Sequence, residues 1–450
     1  MATATFHPAR LHGFASVPPA KSEGHRALLL AALGQGTCRL HGFTPPLCDD
    51  LQAMINGIRA LGAKVTLHEN MALVEPAPAT IDAPPTSFHV NACAAALRML
   101  IPVFWARGQA VRITMDDALF ARPLSALEPL AERIGDGMKL FPPKDGSPAA
   151  VELCGKMNAG AYEVSGALSS QFASGLLIAL SHATDEQGHL QPSTLHVLPP
   201  IVSRPYLDMT LAQMIQFGVS FDEVEEGVFS ITPSARQNPN DVAVSGDWSQ
   251  AAVLLCANAM GSGTMVNGLC HAKTAGGSLQ GDSKILEVLK QIGFSVCETD
   301  RALYVSNPSH AVQMPLHLDC TDIPDIAPIL ALTCARAKGT SVLRGVKRLK
   351  VKECDRLSTT HELLAKLGVE SSISSDMDTL TVIGLGSAGD APLFRGGFTA
   401  DAKGDHRIVM LLAAAALASD APITVTGVEA LDKSWPDFLK TYSALGGVIS

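Results

Sequence analysis

The sequence predicts an α/β fold made of six repeats, and three observations support that prediction. The chain has 450 residues, of which 47% are hydrophobic and 5% aromatic, so it is long enough for more than one aliphatic core. An apolar residue followed by glycine recurs at a nearly constant interval. Segments with helical periodicity alternate with short strand-like segments between these points, which is typical of an α/β protein.

The apolar–glycine pairs mark one point in each repeat. The intervals between successive glycines are 73, 83, 75, 75 and 78 residues. A helix-like segment precedes each pair, and glycine is favoured just after a helix because it adopts the left-handed conformation at little cost. The six pairs are Leu61-Gly62, Ile134-Gly135, Phe217-Gly218, Ile292-Gly293, Leu367-Gly368 and Leu445-Gly446.

A second, more apolar helix is predicted earlier in each repeat. It is apolar on nearly all sides, so we expect it to be buried, whereas the helix that ends at the glycine is one-sided and should face solvent. A repeat of about 75 residues is short for a core of its own, so two lobes of three repeats is the simplest packing, with a hinge near 238–245. The apolar helices are predicted to begin near Ser22, Ala92, Ser169, Trp248, Ile326 and Arg407.

Composition excludes several classes of protein. The net charge of −9 and pI near 5.9 argue against nucleic-acid binding. The longest apolar run, 408–418, has 11 residues, whereas a membrane-spanning helix needs about 20. Residues 1–19 lack the continuous apolar segment of a signal peptide, and the ten cysteines are scattered without a CxxC pair. We therefore expect a cytoplasmic protein with reduced thiols, no membrane contact and a monomeric state.

Polar and basic residues open three of the apolar helices. These segments are Lys-Ser-Glu-Gly-His-Arg (21–26), Ser-Ser-Gln (169–171) and Asp-His-Arg (405–407). A helix N-terminus presents free N–H groups and a partial positive charge, so it favours anions. Each segment taken alone is explained by ordinary helix capping, but three at equivalent positions favour an anion-binding site.

Further charged residues follow predicted strands in short turns. A single such residue is usually a solvated surface charge. Together they supply several cations in a chain with an acidic surface, which favours a small, multiply anionic substrate. These residues are Arg122, Asp325, Lys352, Glu353, Arg356 and Lys433.

The motifs, taken in order along nearly the whole chain, resemble those of the 5-enolpyruvylshikimate-3-phosphate synthase family. Any one motif is weak, but eight in the family's order are a strong signal. They are Lys21-Ser22 with Arg26, Arg122-Pro123, Ser169-Ser170-Gln171-Phe172, Ser203 to Tyr206, Ile323-Pro324-Asp325, Lys352-Glu353 with Arg356, Asp405-His406-Arg407, and Lys433-Ser434-Trp435.

The resemblance implies a two-lobed enolpyruvyl transferase fold with three βαβαββ repeats in each lobe, closing on its ligands in the cleft between them. One lobe would span 20–245, and the other 246–450 together with 1–19. The family transfers the enolpyruvyl group of phosphoenolpyruvate to the 5-hydroxyl of shikimate 3-phosphate and releases phosphate, by addition and then elimination. It needs no metal and no organic cofactor.

The resemblance also implies roles for individual residues. Those expected to bind phosphoenolpyruvate are Lys21, Arg122, Gln171, Arg356, Arg407 and Lys433. Those expected to bind shikimate 3-phosphate are Ser22, Arg26, Ser169, Ser170, Gln171, Ser203, Tyr206, Asp325 and Lys352. The expected catalytic residues are Lys21, Asp325, Glu353 and His406. Asp325 is the candidate to accept the hydroxyl proton, Lys21 and Glu353 are candidates to protonate the methylene, and His406 is expected to orient its neighbours.

Four positions depart from the family pattern, and we expect each to touch a ligand-facing loop. Gly24 replaces the usual Ser or Thr, and Ala94 and Ala95 replace the Gly and Thr of an Asn-x-Gly-Thr loop. Arg348 stands where many members have Asn or Glu. With no glycine between Asn91 and Arg98, a Cβ from Ala94 or Cys93 should crowd the family's inhibitor glyphosate, so we expect weak inhibition.

Three alternatives stay open at this point. The departures fit a divergent paralogue with another acceptor, or a paralogue with a non-catalytic binding role. The related UDP-N-acetylglucosamine enolpyruvyl transferase is less similar, because it has Lys-Asn in place of Lys21-Ser22 and a loop cysteine near the Arg-Pro turn. The chain has no cysteine between Cys93 and Cys154.

Overall fold

The computed structural model describes residues 1–78, 86–144, 146–235, 237–269, 277–299, 302–306, 314–386 and 392–450. The chain forms two compact units. The N-terminal unit comprises residues 19–244, and the C-terminal unit comprises 1–18 and 245–450. Each unit has its own aliphatic core.

Helices alternate with short strands in both units. The helices are α1 Lys21–Leu33, α2 Asp49–Ala60, α3 Ala94–Ala106, α4 Asp117–Phe120, α5 Glu128–Arg133, α6 Ser170–Leu180 and α7 Arg204–Gln216 in the N-terminal unit, and α8 Trp248–Ala259, α9 Ile285–Ile292, α10 Ala327–Cys334, α11 Arg356–Lys366, α12 His406–Ala416 and α13 Phe438–Ala444 in the C-terminal unit. Short 3-10 helices cover Ser125–Leu127, Gly281–Lys284, Lys347–Val351 and Val428–Lys433.

The strands of the C-terminal unit come from both ends of the chain. They are β1 Thr3–Phe6 and β2 His12–Ser16, followed after the N-terminal unit by β15 Gly263–Asn267, β16 Ser295–Glu298, β17 Ala302–Ser306, β18 His317–Asp319, β19 Lys338–Arg344, β20 Ser371–Ile373, β21 Thr379–Leu385, β22 Phe398–Asp401 and β23 Ile423–Thr426. The N-terminal unit contains β3 Cys38–His41, β4 Lys64–His68, β5 Met71–Glu75, β6 Thr86–His89, β7 Val111–Met115, β8 Met138–Phe141, β9 Ala149–Leu153, β10 Ala161–Ser165, β11 Ser193–Leu198, β12 Ser220–Glu225, β13 Val228–Thr232 and β14 Asp241–Ala243.

The described strands form six sheets, one for each repeat. Sheet β10-β11-β13-β12 shows the pattern, in which a parallel pair is followed by two antiparallel strands. This order follows from a βαβαββ repeat, because a parallel pair needs a helical crossover whereas the last two strands form a hairpin. The first repeat takes its first strand from β14 and the fourth takes its first strand from β2. In the sixth, β1 pairs antiparallel with β23.

The predicted repeat markers are present in the structure. The six marker glycines, Gly62, Gly135, Gly218, Gly293, Gly368 and Gly446, all have φ between +74° and +107°. The six apolar helices, α1, α3, α6, α8, α10 and α12, begin within two residues of the predicted positions and are almost wholly buried. In the described part of the chain, no helix is long and apolar enough to cross a membrane.

Candidate active site

Lys21 is the first residue of α1 and forms an ion pair with the start of α2. Its Nζ donates to Asp50 Oδ2 at 3.0 Å, and both side chains are largely buried. His25, one turn along α1, lies 2.9 Å through Nε2 from the carbonyl oxygen of Asp50. Since a carbonyl only accepts, Nε2 carries the ring proton. Burial lowers the pKa of His25 to about 4, so the imidazole is neutral at pH 7 and holds Asp50 in place beneath Lys21.

Arg26 joins three helices of the N-terminal unit. It is buried and donates four hydrogen bonds. The acceptors are the hydroxyls of Thr210 and Ser174 and the backbone carbonyls of Ser22 and Tyr206, at 2.6–3.1 Å. Burial lowers the pKa of Arg26 to about 10, so it remains charged at neutral pH. Its four hydrogen-bond acceptors are neutral, and the charge of Glu23 only partly offsets the effect of burial on its pKa.

The start of α6 is fixed by its own cap and by an arginine from α3. Ser169 caps the helix by accepting a hydrogen bond from the Gln171 N–H at 3.3 Å, and Ser170 is buried beside it. Arg98 donates to Gln171 Oε1 and to the Pro123 carbonyl, both at 3.1 Å. This arginine therefore ties α6 to the Arg-Pro turn, in which Arg122 is half-buried.

The start of α7 completes the first group of site residues. Ser203 precedes the helix in the left-handed conformation, with φ 56° and ψ 44°, and is buried. Tyr206 follows in the first turn, where its N–H donates to the Ser203 carbonyl at 3.1 Å and its own carbonyl accepts from Arg26. We use the name N-terminal cluster for the site residues of this unit, which are Lys21, Ser22, His25, Arg26, Asp50, Arg98, Arg122, Ser169, Ser170, Gln171, Ser203 and Tyr206.

Arg356, the first residue of α11, is the centre of a second group in the C-terminal unit. Its side chain is buried and donates to three carboxylates. These are Asp405 at 2.6 and 3.1 Å, Asp325 at 2.8 Å and Glu353 at 2.6 Å. Burial alone would lower the pKa of Arg356, but the three carboxylates outweigh it and raise that pKa well above its usual range. Lys433 Nζ lies 3.9 Å from Glu353 Oε1 and belongs to the same group.

Asp325 is held by two cations on one oxygen. Lys352 Nζ and Arg356 Nη1 donate to its Oδ1 at 3.0 and 2.8 Å. Burial alone would raise the pKa of Asp325, but the charges of Lys352, Arg356 and Arg407 hold it well below its usual range. Burial, opposed by the charge of Asp325 and reinforced by Arg356 and Arg348, lowers the pKa of Lys352. Arg348 therefore adds a positive charge near the Asp325–Lys352 pair.

Asp405, His406 and Arg407 open helix α12. Asp405 is fully buried and caps the helix by accepting from the Arg407 N–H at 2.9 Å. His406 is buried with Nδ1 3.8 Å from Asp405 Oδ1. Arg407 Nη1 donates to the Ser249 carbonyl at 2.8 Å. Among the described residues, no acceptor lies within hydrogen-bonding distance of its buried Nε.

Asp282 is a site residue that the sequence did not indicate. It is buried, and its carboxylate accepts a short hydrogen bond from the Ser249 hydroxyl. Burial, reinforced by the charge of Asp325, raises the pKa of Asp282 to about 7. We call Asp282, Asp325, Lys352, Glu353, Arg356, Asp405, His406, Arg407 and Lys433 the C-terminal cluster.

Three of the positions around the departures from the family pattern, Gly24, Cys93 and Ala94, are buried in the N-terminal unit. Gly24 is buried, and a Cβ there would lie 2.7 Å from Leu51 Cδ2 and 3.4 Å from Phe43 Cζ. The expectation that Gly24 touches a ligand-facing loop is therefore wrong, because the missing side chain is replaced by packing inside the unit. The thiol of Cys93 caps α3 by accepting from the Ala96 N–H at 3.4 Å and lies 3.7 Å from the Asp50 carbonyl oxygen. Ala94, the first residue of α3, is buried with 5% of its surface exposed.

Four of the eight motifs lie in each cluster, and hydrogen bonds or ion pairs join the four into one network. In the N-terminal cluster, Arg26 and Arg98 donate to neutral acceptors and Lys21 is paired with Asp50. Arginines with neutral acceptors suit the binding of small anions. The C-terminal cluster interleaves cations with carboxylates, so it can bind an anion and also move protons. Asp50, Arg98 and Asp282 are not among the residues predicted from the sequence. The two acids stand in first helical turns, where an acidic residue is ordinarily explained as a cap.

Comparison with known proteins identifies similar chains. The family model described as EPSP synthase (3-phosphoshikimate 1-carboxyvinyltransferase) matches residues 6–442. A 3-phosphoshikimate 1-carboxyvinyltransferase from Clostridium botulinum is 30% identical, over 99% of this chain and 98% of the relative. One from Aeropyrum pernix is 32% identical, over 98% and 95%. The solved structure of EPSP synthase from Acinetobacter baumannii superposes with a TM-score of 0.78 at 21% identity, covering 100% of both chains.

Proposed function

Because the chain belongs to the EPSP synthase family, we propose that it transfers the enolpyruvyl group of phosphoenolpyruvate to the 5-hydroxyl of shikimate 3-phosphate and releases phosphate. Family membership confirms the predicted enolpyruvyl transferase class and the predicted fold. The observation that carries the proposal is that the eight motifs, which are scattered along the sequence, meet in two buried networks of cations.

The charges of the two clusters suit two phosphorylated carboxylates. Both substrates are multiply anionic and repel one another, so the protein must supply several cations to hold them. We propose that Lys21, Arg122, Gln171, Arg356, Arg407 and Lys433 bind phosphoenolpyruvate. Ser22, Arg26, Ser169, Ser170, Gln171, Ser203, Tyr206, Asp325 and Lys352 would bind shikimate 3-phosphate. Arg407, with its buried Nε directed at no acceptor among the described residues, is the clearest of the anion ligands.

Asp325 is the proposed base for the 5-hydroxyl. Its Oδ1 is occupied by Lys352 and Arg356, which leaves Oδ2 as the oxygen to take the proton. A carboxylate with a strongly lowered pKa is a weak base. Anionic substrates that bind the same cations weaken their hold on Asp325 and raise its pKa toward a more useful value. Substrate binding thus activates the base.

Protonation of the methylene carbon needs an acid at a second position. Lys21 and Glu353 are the proposed donors, because each is a largely buried group held by an ion pair, Lys21 to Asp50 and Glu353 to Arg356. Elimination then removes a proton from the resulting methyl group, so paired groups with separated pKa values are needed. His406, buried beside Asp405, is proposed to orient the start of α12.

The test is phosphate release from phosphoenolpyruvate by the purified protein, with and without shikimate 3-phosphate. We expect release that depends on shikimate 3-phosphate and a product with the mass of its enolpyruvyl ether. Binding of both ligands without turnover would indicate the non-catalytic role. Release that depends on UDP-N-acetylglucosamine, or on neither acceptor, would contradict the proposal.

A further inference from the structure

Ser203 occupies a backbone conformation that something must hold. Its φ of 56° is left-handed, which is unfavourable for any residue with a Cβ. Serine lacks the backbone freedom of glycine at positive φ, yet Ser203 directs the chain into α7, where Tyr206 lies in the first turn. The next residue, Arg204, is the first residue of α7.

Arg204 is clamped on three of its donors. Nη1 and Nη2 donate to Glu223 Oε1 and Oε2 on β12 at 2.9 and 2.7 Å, and Nε donates to Asp208 on the next turn of α7 at 2.6 Å. Glu223 is fixed in turn by the Gly227 N–H at 2.9 Å. A bidentate arginine–carboxylate pair restricts orientation as well as distance. The two carboxylates raise the pKa of Arg204, and Arg204 lowers that of Glu223.

We infer that Arg204 and Glu223 are positioning residues for acceptor binding, because their ion pair holds the left-handed Ser203 and the first turn of α7. This inference rests on the proposed function, in which Ser203 and Tyr206 bind shikimate 3-phosphate. The side chains of the pair are 30% and 26% exposed. Its effect is confined to the backbone that carries the two ligand residues.

The experiment compares Arg204→Gln, Glu223→Gln and the double variant with the unmodified protein. If loss of the clamp leaves the competent backbone in a tenth to a third of the molecules, the apparent Kd for shikimate 3-phosphate rises about threefold to tenfold. We expect that rise in calorimetric Kd and in KM for shikimate 3-phosphate. The KM for phosphoenolpyruvate and kcat should change less than about twofold. The double variant should be no worse than Arg204→Gln, since that single variant already breaks the pair with Glu223.

Asp241→Asn is the matched control. Asp241 forms a bidentate pair with Arg39 at 2.8 and 2.6 Å in the same unit, and that pair joins β14 to β3. Variants of Arg204 and Glu223 that match this control in Kd would overturn the inference while leaving the proposed function intact. The inference would also be overturned if the variants bound both substrates equally more weakly and had a lower melting temperature than the control. An unmodified protein without turnover that depends on shikimate 3-phosphate would instead overturn the proposed function.

Discussion

Arg26 and Arg356 occupy comparable places in the two clusters but have opposite surroundings. Each is buried and each donates four hydrogen bonds. The acceptors of Arg26 are two hydroxyls and two carbonyls, whereas those of Arg356 are oxygens of three carboxylates. The first arginine has only neutral hydrogen-bond acceptors, so its positive charge can attract an anion. The second is already neutralised by the protein.

The difference indicates that the two clusters have different chemical roles. An arginine with neutral partners attracts an anion without exchanging an existing ion pair. An arginine surrounded by acids holds those acids ionised and close together, and ligand binding then changes their proton affinity. The groups proposed to exchange protons are therefore concentrated where the cations are already paired, with Lys21 and its partner Asp50 as the exception in the N-terminal cluster.

The largest effect is expected for stability when Arg356 is removed. Arg356→Met leaves three buried or partly buried carboxylates without their shared cation, which typically costs about 3–5 kcal/mol. Arg26→Met leaves only neutral acceptors unpaired, for which about 1–3 kcal/mol is typical. Urea unfolding of both variants at pH 7.5 measures the difference.

The pH dependence separates the two variants further. Unpaired carboxyls in the Arg356→Met protein have folded pKa values raised above the unfolded ones, so their cost grows as pH rises above about 4 and shrinks on acidification. We therefore expect the deficit of Arg356→Met to be smaller at pH 5 than at pH 7.5, and that of Arg26→Met to be nearly constant. Equal losses in both variants at every pH would contradict the contrast between the clusters.

The next effect concerns turnover. Lys21→Met keeps the length of the side chain but removes a cation proposed to bind phosphoenolpyruvate and to exchange a proton. Loss of such a group reduces kcat by roughly 10²–10⁴-fold. Lys64→Met is the control, because Lys64 is an exposed lysine of the same unit, 3.9 Å from Glu75. Turnover of the Lys21 variant within about twofold of that control would remove Lys21 from the site.

Much of the fold and of the candidate site could be predicted from the sequence. The glycines such as Gly62 and Gly293 identified the repeats because a left-handed helix end restricts residue choice. The prediction for Gly24 is wrong because the sequence does not show whether a missing side chain would face a ligand or, as here, Leu51 and Phe43.

Two acidic residues of the clusters could not be predicted from the sequence for a different reason. Asp50 and Asp282 are separated in sequence from the groups they meet, Lys21 and Ser249, and only the folded chain brings them together. The burial that raises the pKa of Asp282 to about 7 is also a property of the packed unit. Sequence patterns indicate residue types at helix starts, but not which distant carboxylate those residues contact.

A smaller effect is expected in the stability of the N-terminal cluster with pH. The pKa of His25 is about 4 in the folded protein and near 6.5 when unfolded. The unfolded chain therefore binds the proton first, and stability is lost as pH falls from about 6.5 to 4. That difference corresponds to roughly 3 kcal/mol. His25→Gln, which keeps a donor for the Asp50 carbonyl, should lose less stability over this window in urea unfolding. Parallel pH profiles for the two proteins would show that His25 is not the group responsible.

The smallest effect concerns inhibition by glyphosate, where the start of α3 in this chain differs from the family pattern. Cys93 directs its thiol toward the start of α2, so the methyl of Ala94 is the group that we propose crowds the inhibitor. Overpacking of this size typically costs about 1–3 kcal/mol, or roughly 5–150-fold in affinity. We expect an inhibition constant well above the KM for phosphoenolpyruvate, tightened by Ala94→Gly but not by the control Ala95→Gly at the next position. Because phosphoenolpyruvate is the shorter molecule, its KM should change little in either variant. Tight inhibition of the unmodified protein, or equal tightening in both variants, would show that the Ala94 methyl does not limit the space for the inhibitor.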